Sequence, residues 1–113
     1  MKTRRERDSL GFVSVPKNAY WGASTQRAIQ NFRISDKRFP LSSFIVALAQ
    51  VKKACLEANL ELNLIDSSSG KAILQAIDEI LRKGKFTDQF PLDVFQTGSG
   101  TQINMYMNEV LAN

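Results

Sequence analysis

The sequence contains no histidine. That absence removes every histidine-based catalytic arrangement, and most zinc sites, from what these residues do on their own. A single cysteine, Cys55, excludes an internal disulfide. It is set in the apolar stretch VALAQVKKACLEANL and reads as a small core residue rather than a nucleophile. No apolar run comes near the roughly 20 residues that a membrane-spanning helix needs. The basic start MKTRRERDS leads into no apolar signal segment, so an intracellular chain with no membrane partner is the expectation. Internal repeats and low-complexity tracts are also lacking.

What is present is the composition of one small globular domain: 113 residues, 43% of them apolar, enough to build a packed core. Lys and Arg number 15 against 11 Asp and Glu, and part of the resulting +4 sits in Arg4, Arg5 and Arg7. A nucleic-acid surface would interleave such charges with aromatic residues. None are interleaved here, so the segment reads as a solvated end strand with no nucleic-acid partner.

Residues 3–15, TRRERDSLGFVSV, hold two short extended runs around Asp8-Ser9-Leu10-Gly11, and Pro16 ends the second, which predicts a small β-hairpin. From Pro40 the pattern turns helical. Phe44, Leu48, Val51, Cys55 and Ala58 recur at spacings of three and four, with Ser42 or Ser43 available as the cap, so LSSFIVALAQVKKACLEANLEL is expected to be one long helix. A second helix follows Asp66-Ser67-Ser68-Ser69, carries Ile73, Ile77, Ile80 and Leu81 on one face, and is expected to stop at Gly84. Residues 84–96 read as an irregular connector anchored on the core by Phe86, Phe90 and Phe95. After Gly100 the period returns with Ile103, Met107, Val110 and Leu111, while Asn104 and Asn108 form a polar line one turn apart. The predicted architecture is mainly α, a short amino-terminal β-hairpin followed by helices.

The stretch Thr97-Gly98-Ser99-Gly100-Thr101-Gln102 stands at the start of that last helix. Glycines let a ligand approach the backbone, and the first N–H groups of a helix have no internal partner and sit at the positive end of its dipole. Ser99, Thr101 and Gln102 add side-chain donors suited to carboxylate oxygens. Two readings stand on the residues alone: an anion-binding loop, or a plain cap whose glycines make the turn. The loop is neither a phosphate-binding P-loop nor a dinucleotide fingerprint, since the lysine of the first and the preceding strand of the second are missing. Asn104, Asn108 and Glu109 line a ligand site or face neighbouring helices. Asp88, Asp93 and Glu109 raise paired acid–base catalysis, but nothing in the sequence fixes their separation.

The segments RDSLGFVSVPKNAYWGASTQRAIQNFRIS (7–35), VKKACLEANLELNLI (51–65) and DQFPLDVFQTGSGTQINMYMNEVLAN (88–113) closely resemble the amino-terminal domain of class II fumarate hydratases, in the fumarase/aspartase superfamily. The hydratases carry T-G-S-G-T-Q at this loop, whereas aspartate ammonia-lyases look like G-G-A-G-T-S. The resemblance implies reversible hydration of fumarate to L-malate, a step of the tricarboxylic acid cycle, in a cytoplasmic or mitochondrial-matrix homotetramer that needs no metal or organic cofactor. It implies binding of a substrate carboxylate by Ser99, Gly100 and Thr101, with Thr97 and Gln102 supporting the loop and Asn108 as a further, weaker candidate contact.

It also implies that residues 1–113 are only the amino-terminal domain. The family's catalytic serine and assisting histidine lie in later segments, as do the central helical bundle and the carboxy-terminal domain. No catalytic residue is therefore expected within this chain, and the fragment alone is expected to be inactive. Tyr106 stands where the family's helix commonly carries an amide. Two other functions compete: an aspartate ammonia-lyase or argininosuccinate-type lyase of the same superfamily, and a truncated, non-catalytic helical module that binds partner subunits.

Overall fold

A computed structural model describes residues 1–83 and 87–113. The chain forms two compact units, Met1–Phe39 with Asp88–Asn113, and Pro40–Thr87.

The first unit opens with the expected hairpin. Strands β1 (Thr3–Asp8) and β2 (Gly11–Pro16) pair antiparallel, with Asp8 opposite Gly11 and Thr3 opposite Pro16. Gly11 supplies the positive φ of the turn, and the Asp8 carboxylate accepts the Leu10 N–H at 2.9 Å. Strand alternation sends Val13 and Val15 inward, where they cluster with Ala19 and Ala23 and with the half-buried Trp21. On the other face the Arg5 guanidinium lies 4.1 Å from the centre of the Phe12 ring.

Arg4 corrects the expectation of a solvated strand. Its guanidinium donates to the carbonyls of Pro16 (3.1 Å), Ala19 (2.5 Å) and Trp21 (2.8 Å), and it pairs with Glu6 at 2.7 Å. A planar fork of donors suits a curved run of carbonyls, so Arg4 shapes the segment that leads into the next helix.

That helix, α1 (Ala23–Asn31), is not foreseen by the periodicity, because its buried residues are Ala23, Thr25 and Ala28, too small to register as an apolar stripe. Arg27 ties it to the hairpin turn through a two-pronged ion pair with Asp8, at 2.6 and 2.9 Å.

The second unit begins with a π-helical turn, Leu41–Ile45, that runs into α2 (Val46–Glu61) and is followed by α3 (Ser67–Lys83). Helices α2 and α3 pack together, as two helices joined by a short turn should. The chain reverses at Asn63, whose φ is 56°, and α3 is capped by Asp66, which accepts the Ser69 N–H at 2.9 Å.

The α2 face differs from the expected one. Ile45, Ala49 and Leu56 are buried, whereas Phe44, Val51, Cys55 and Ala58 are exposed. Apolar residues are spread round most of this helix, so spacing alone does not select the face. Cys55 is accordingly an exposed thiol, not a core residue. No serine side chain caps α2, because the π turn already precedes it. In α3, Ile77 and Ile80 are buried as expected. The expected stop at Gly84 and the anchoring role of Phe86 lie outside the described residues.

The connector contains a short 3-10 turn, Thr87–Gln89, and buries Phe90, Leu92 and Asp93. Phe95 is 51% exposed and does not anchor it. The chain then enters α4 (Thr101–Ala112), which buries Ile103, Tyr106, Met107 and Val110 and packs against α1. No helix among the described residues is long and apolar enough to cross a membrane.

Candidate functional site

The connector and α4 present the hydroxyl-rich loop in a defined shape. Gly98 and Gly100 both take left-handed backbone conformations, with φ of 81° and 78°. At neither position would a Cβ meet another atom, so conformation rather than space requires glycine. Gly100 is the residue before the first turn of α4, and no side chain caps that turn. The first intrahelical bond runs from the Asn104 N–H to the Gly100 carbonyl at 3.2 Å, which leaves the first-turn N–H groups directed out of the helix end.

Thr97, Ser99, Gly100 and Thr101 are exposed around this end, and the Thr97 and Ser99 hydroxyls are 3.2 Å apart. The Gln102 side-chain carbonyl reaches back to the Thr97 N–H at 3.5 Å, closing the loop on itself. Thr97, Ser99, Gly100, Thr101 and Gln102 thus come together. Asn108 is exposed two turns further along α4, about 10 Å down the axis at 1.5 Å per residue.

The loop's stem is held by Asp93. This carboxylate, only 4% exposed as a residue, accepts the N–H groups of Ile34 (3.1 Å), Ser35 (2.5 Å) and Phe95 (2.9 Å) and the Ser35 hydroxyl (3.0 Å). Burial pushes its pKa upward, but the hydrogen bonds from Phe95, Ser35 and Ile34 outweigh that and hold the group below the ordinary carboxylate value. The Gln96 amide then donates to the Asp93 carbonyl at 3.1 Å, fixing the residue just before the loop.

Glu109 is similarly committed. Its oxygens accept the N–H groups of Gly22 (2.8 Å), Ser24 (2.8 Å) and Thr25 (3.1 Å) at the start of α1. Both carboxylates therefore have structural partners at fixed positions, and the paired acid–base arrangement raised from the sequence does not form. Asp88 is exposed.

Tyr106, on the buried side of α4, donates its hydroxyl to the Gln89 carbonyl and sets its ring edge-on to Phe90, with centroids 5.1 Å apart. The Gln89 side chain in turn accepts the Tyr20 N–H at 2.7 Å. Sequence reasoning did not see the positioning roles of Arg4, Asp93 and Glu109. All three bind backbone groups far away in the chain, for which a single sequence carries no local signal.

The structure thus presents an outward helix end flanked by hydroxyls, its stem held by the buried Asp93 carboxylate and its body tied by the half-buried Glu109. The fold places it among lyases. A family model described as lyase matches residues 11–113, and the chain belongs to that family.

The relatives are more specific. The class II fumarate hydratase of Thermus thermophilus is 53% identical over 114 aligned residues, covering the whole of this chain and 24% of its own length. That of Halobacterium salinarum is 56% identical over 110, covering 97% of this chain and 23% of its own. Among solved structures, the fumarate lyase:delta crystallin from Brucella melitensis in native form superimposes with a TM-score of 0.93 at 45% identity, covering 99% of this chain and 26% of the other. The class II fumarase of Schistosoma mansoni gives 0.91 at 39%, covering 97% and 23%. The chain spans about a quarter of the length of these relatives and corresponds to their amino-terminal region.

Proposed function

We propose that residues 1–113 are the amino-terminal domain of a class II fumarate hydratase, and that they supply the loop that binds a substrate carboxylate during reversible hydration of fumarate to L-malate. The observation that carries this reading is the Thr97–Gln102 loop, where two left-handed glycines expose the α4 start and gather the hydroxyls of Thr97, Ser99 and Thr101 around it. Its support is the similarity to class II fumarate hydratases at about half identity over the whole chain.

The chemistry is consistent with the geometry. Hydration of a carbon–carbon double bond next to a carboxylate proceeds through a state with extra negative charge on that carboxylate. Fixed N–H and O–H donors stabilise this added charge more than they stabilise the singly charged carboxylate of the ground state. The loop would bind and polarise the carboxylate. The groups that move protons would come from the remainder of the homotetramer, in the cytoplasm or the mitochondrial matrix. Ser99, Gly100 and Thr101 make the contacts in this reading, Thr97 and Gln102 hold the loop, and Asn108, two turns further along α4, is the outlying candidate.

The test uses the full natural gene product, incubated with fumarate with and without ammonia while the products are identified. Malate formed without ammonia is the expected outcome. Ser99→Ala and Thr101→Val should each lower kcat/KM by about 10- to 100-fold, as loss of one charge-assisted hydrogen bond predicts. Aspartate formed only with ammonia would overturn the hydratase reading. Variants with unchanged kinetics would overturn the role of the loop.

A further inference from the structure

Glu109 is a carboxylate on α4 whose three hydrogen-bond donors all lie at the start of another helix, α1. Helix α1 starts with N–H groups that have no helical acceptor, and no side chain next to Gly22 caps them. Glu109, projecting from α4, supplies the cap: one oxygen takes Gly22 and Thr25, the other takes Ser24. Negative charge at this end is favoured by the α1 dipole.

Gly22 is shaped to the carboxylate. A Cβ there would lie 3.1 Å from the Glu109 carboxyl carbon and 3.2 and 3.3 Å from its oxygens. The end of α4 is tied to the same stretch by the Asn113 amide, which donates to the Tyr20 carbonyl at 2.8 Å. That stretch is itself held by Arg4.

We infer that Glu109 is a positioning residue for the substrate loop, acting through α4 on Ser99 and Thr101; the inference rests on the loop reading proposed above. A helix is stiff along its axis, so pinning one end fixes the other. The apolar contacts of Ile103, Met107 and Val110 hold α4 in place but are non-directional and tolerate a small slide or rotation. Three hydrogen bonds to one carboxylate do not. Asp93 fixes the loop where it enters, and Glu109 fixes the helix that it leads into. Between these two clamps the donors at 97–101 keep their spacing without a bound ligand.

The experiment measures steady-state fumarate hydration by the full natural gene product carrying Glu109→Gln, Gly22→Ala and Ser99→Ala singly, and each of the first two combined with Ser99→Ala. An amide at position 109 loses one acceptor, and a methyl at position 22 pushes the carboxylate away from the opposite side while leaving its charge intact. Both should raise KM for fumarate about tenfold with kcat within about threefold of wild type, because misplaced donors weaken substrate contact. In the Ser99→Ala background the same changes should matter less than about threefold, since they act through a contact already lost.

A purely structural role would reduce the amount of active enzyme, lowering apparent kcat at unchanged KM, and that outcome overturns the inference. So does full multiplication of the effects with Ser99→Ala. Should Glu109→Gln fail to fold, Gly22→Ala decides alone, and a wild-type KM there overturns it. Ser99→Ala with wild-type kinetics would instead bring down the loop reading itself.

Discussion

At the scale of single residues, several polar groups of the first unit, Arg4, Asp93 and Glu109 among them, are spent on backbone far away in sequence. Tyr106 shows what this means energetically. Burial, with the nearby charge of Asp88 adding to it and Arg38 opposing, raises its phenol pKa above the ordinary 10.0. The neutral hydroxyl donates to the Gln89 carbonyl at every ordinary pH. Tyr106→Phe would strand that buried carbonyl and should cost about 1 kcal/mol of stability, read from chemical denaturation. The pH dependence has a definite sign. A phenol that holds its proton more tightly when folded contributes stability that is present below the unfolded value, and loses it as pH rises past about 10. Wild type should therefore weaken with rising alkalinity more steeply than Tyr106→Phe, and parallel curves would show that the phenol is not buried as described.

At the scale of elements, ends and caps decide what forms. Asp66 closes the start of α3 by accepting from the Ser69 N–H and the Ser68 hydroxyl, and these bonds lower its pKa to about 2, the Ser68 hydroxyl contributing most. A carboxyl with a lowered folded pKa adds stability that is full above its unfolded value, near 3.8, and is lost as pH falls toward 2. Asp66→Ala should thus lower the melting temperature at pH 7 and converge on wild type between about pH 4 and pH 2. A gap that persists at pH 2 would mean that the cap acts without its charge. The hairpin, α3 and α4 were legible in the sequence, because turn residues and large apolar side chains at regular spacing announce them. The Asp66 cap was not singled out, and α3 starts at Ser67, inside the serine run it was expected to follow. Helix α1 was not legible, since alanines and a threonine form its buried side. The α2 face was misread because Val51 and Cys55 fit a helical period as well as Ala49 and Leu56 do. The loop was legible as a motif, but its clamps were not, because Asp93 and Glu109 reach across 59 and 87 residues to their farthest partners.

At the scale of the whole molecule, the question is how much function these 113 residues hold by themselves. Each charge-assisted hydrogen bond from the loop is worth roughly 1.5 to 3 kcal/mol, whereas association costs an estimated 4 to 15 kcal/mol. The donors at Thr97, Ser99 and Thr101 stand exposed to water, so two or three such bonds barely cover the cost. Binding of fumarate by the isolated chain should then be about millimolar or weaker, which corresponds to about −4 kcal/mol. Turnover should be undetectable, because Asp93 and Glu109 are committed to backbone N–H groups and the chain has no histidine to move a proton. The exposed apolar side chains of Val51 and Leu62 carry a separate consequence. Large apolar groups left in water favour association, so light scattering by the isolated chain should rise with concentration, and Val51→Lys with Leu62→Lys should suppress the rise. A defined, concentration-independent assembly would favour a self-sufficient interaction module over a domain that needs the rest of its chain. Malate formed by the pure chain would go further and require a proton-transfer group within it.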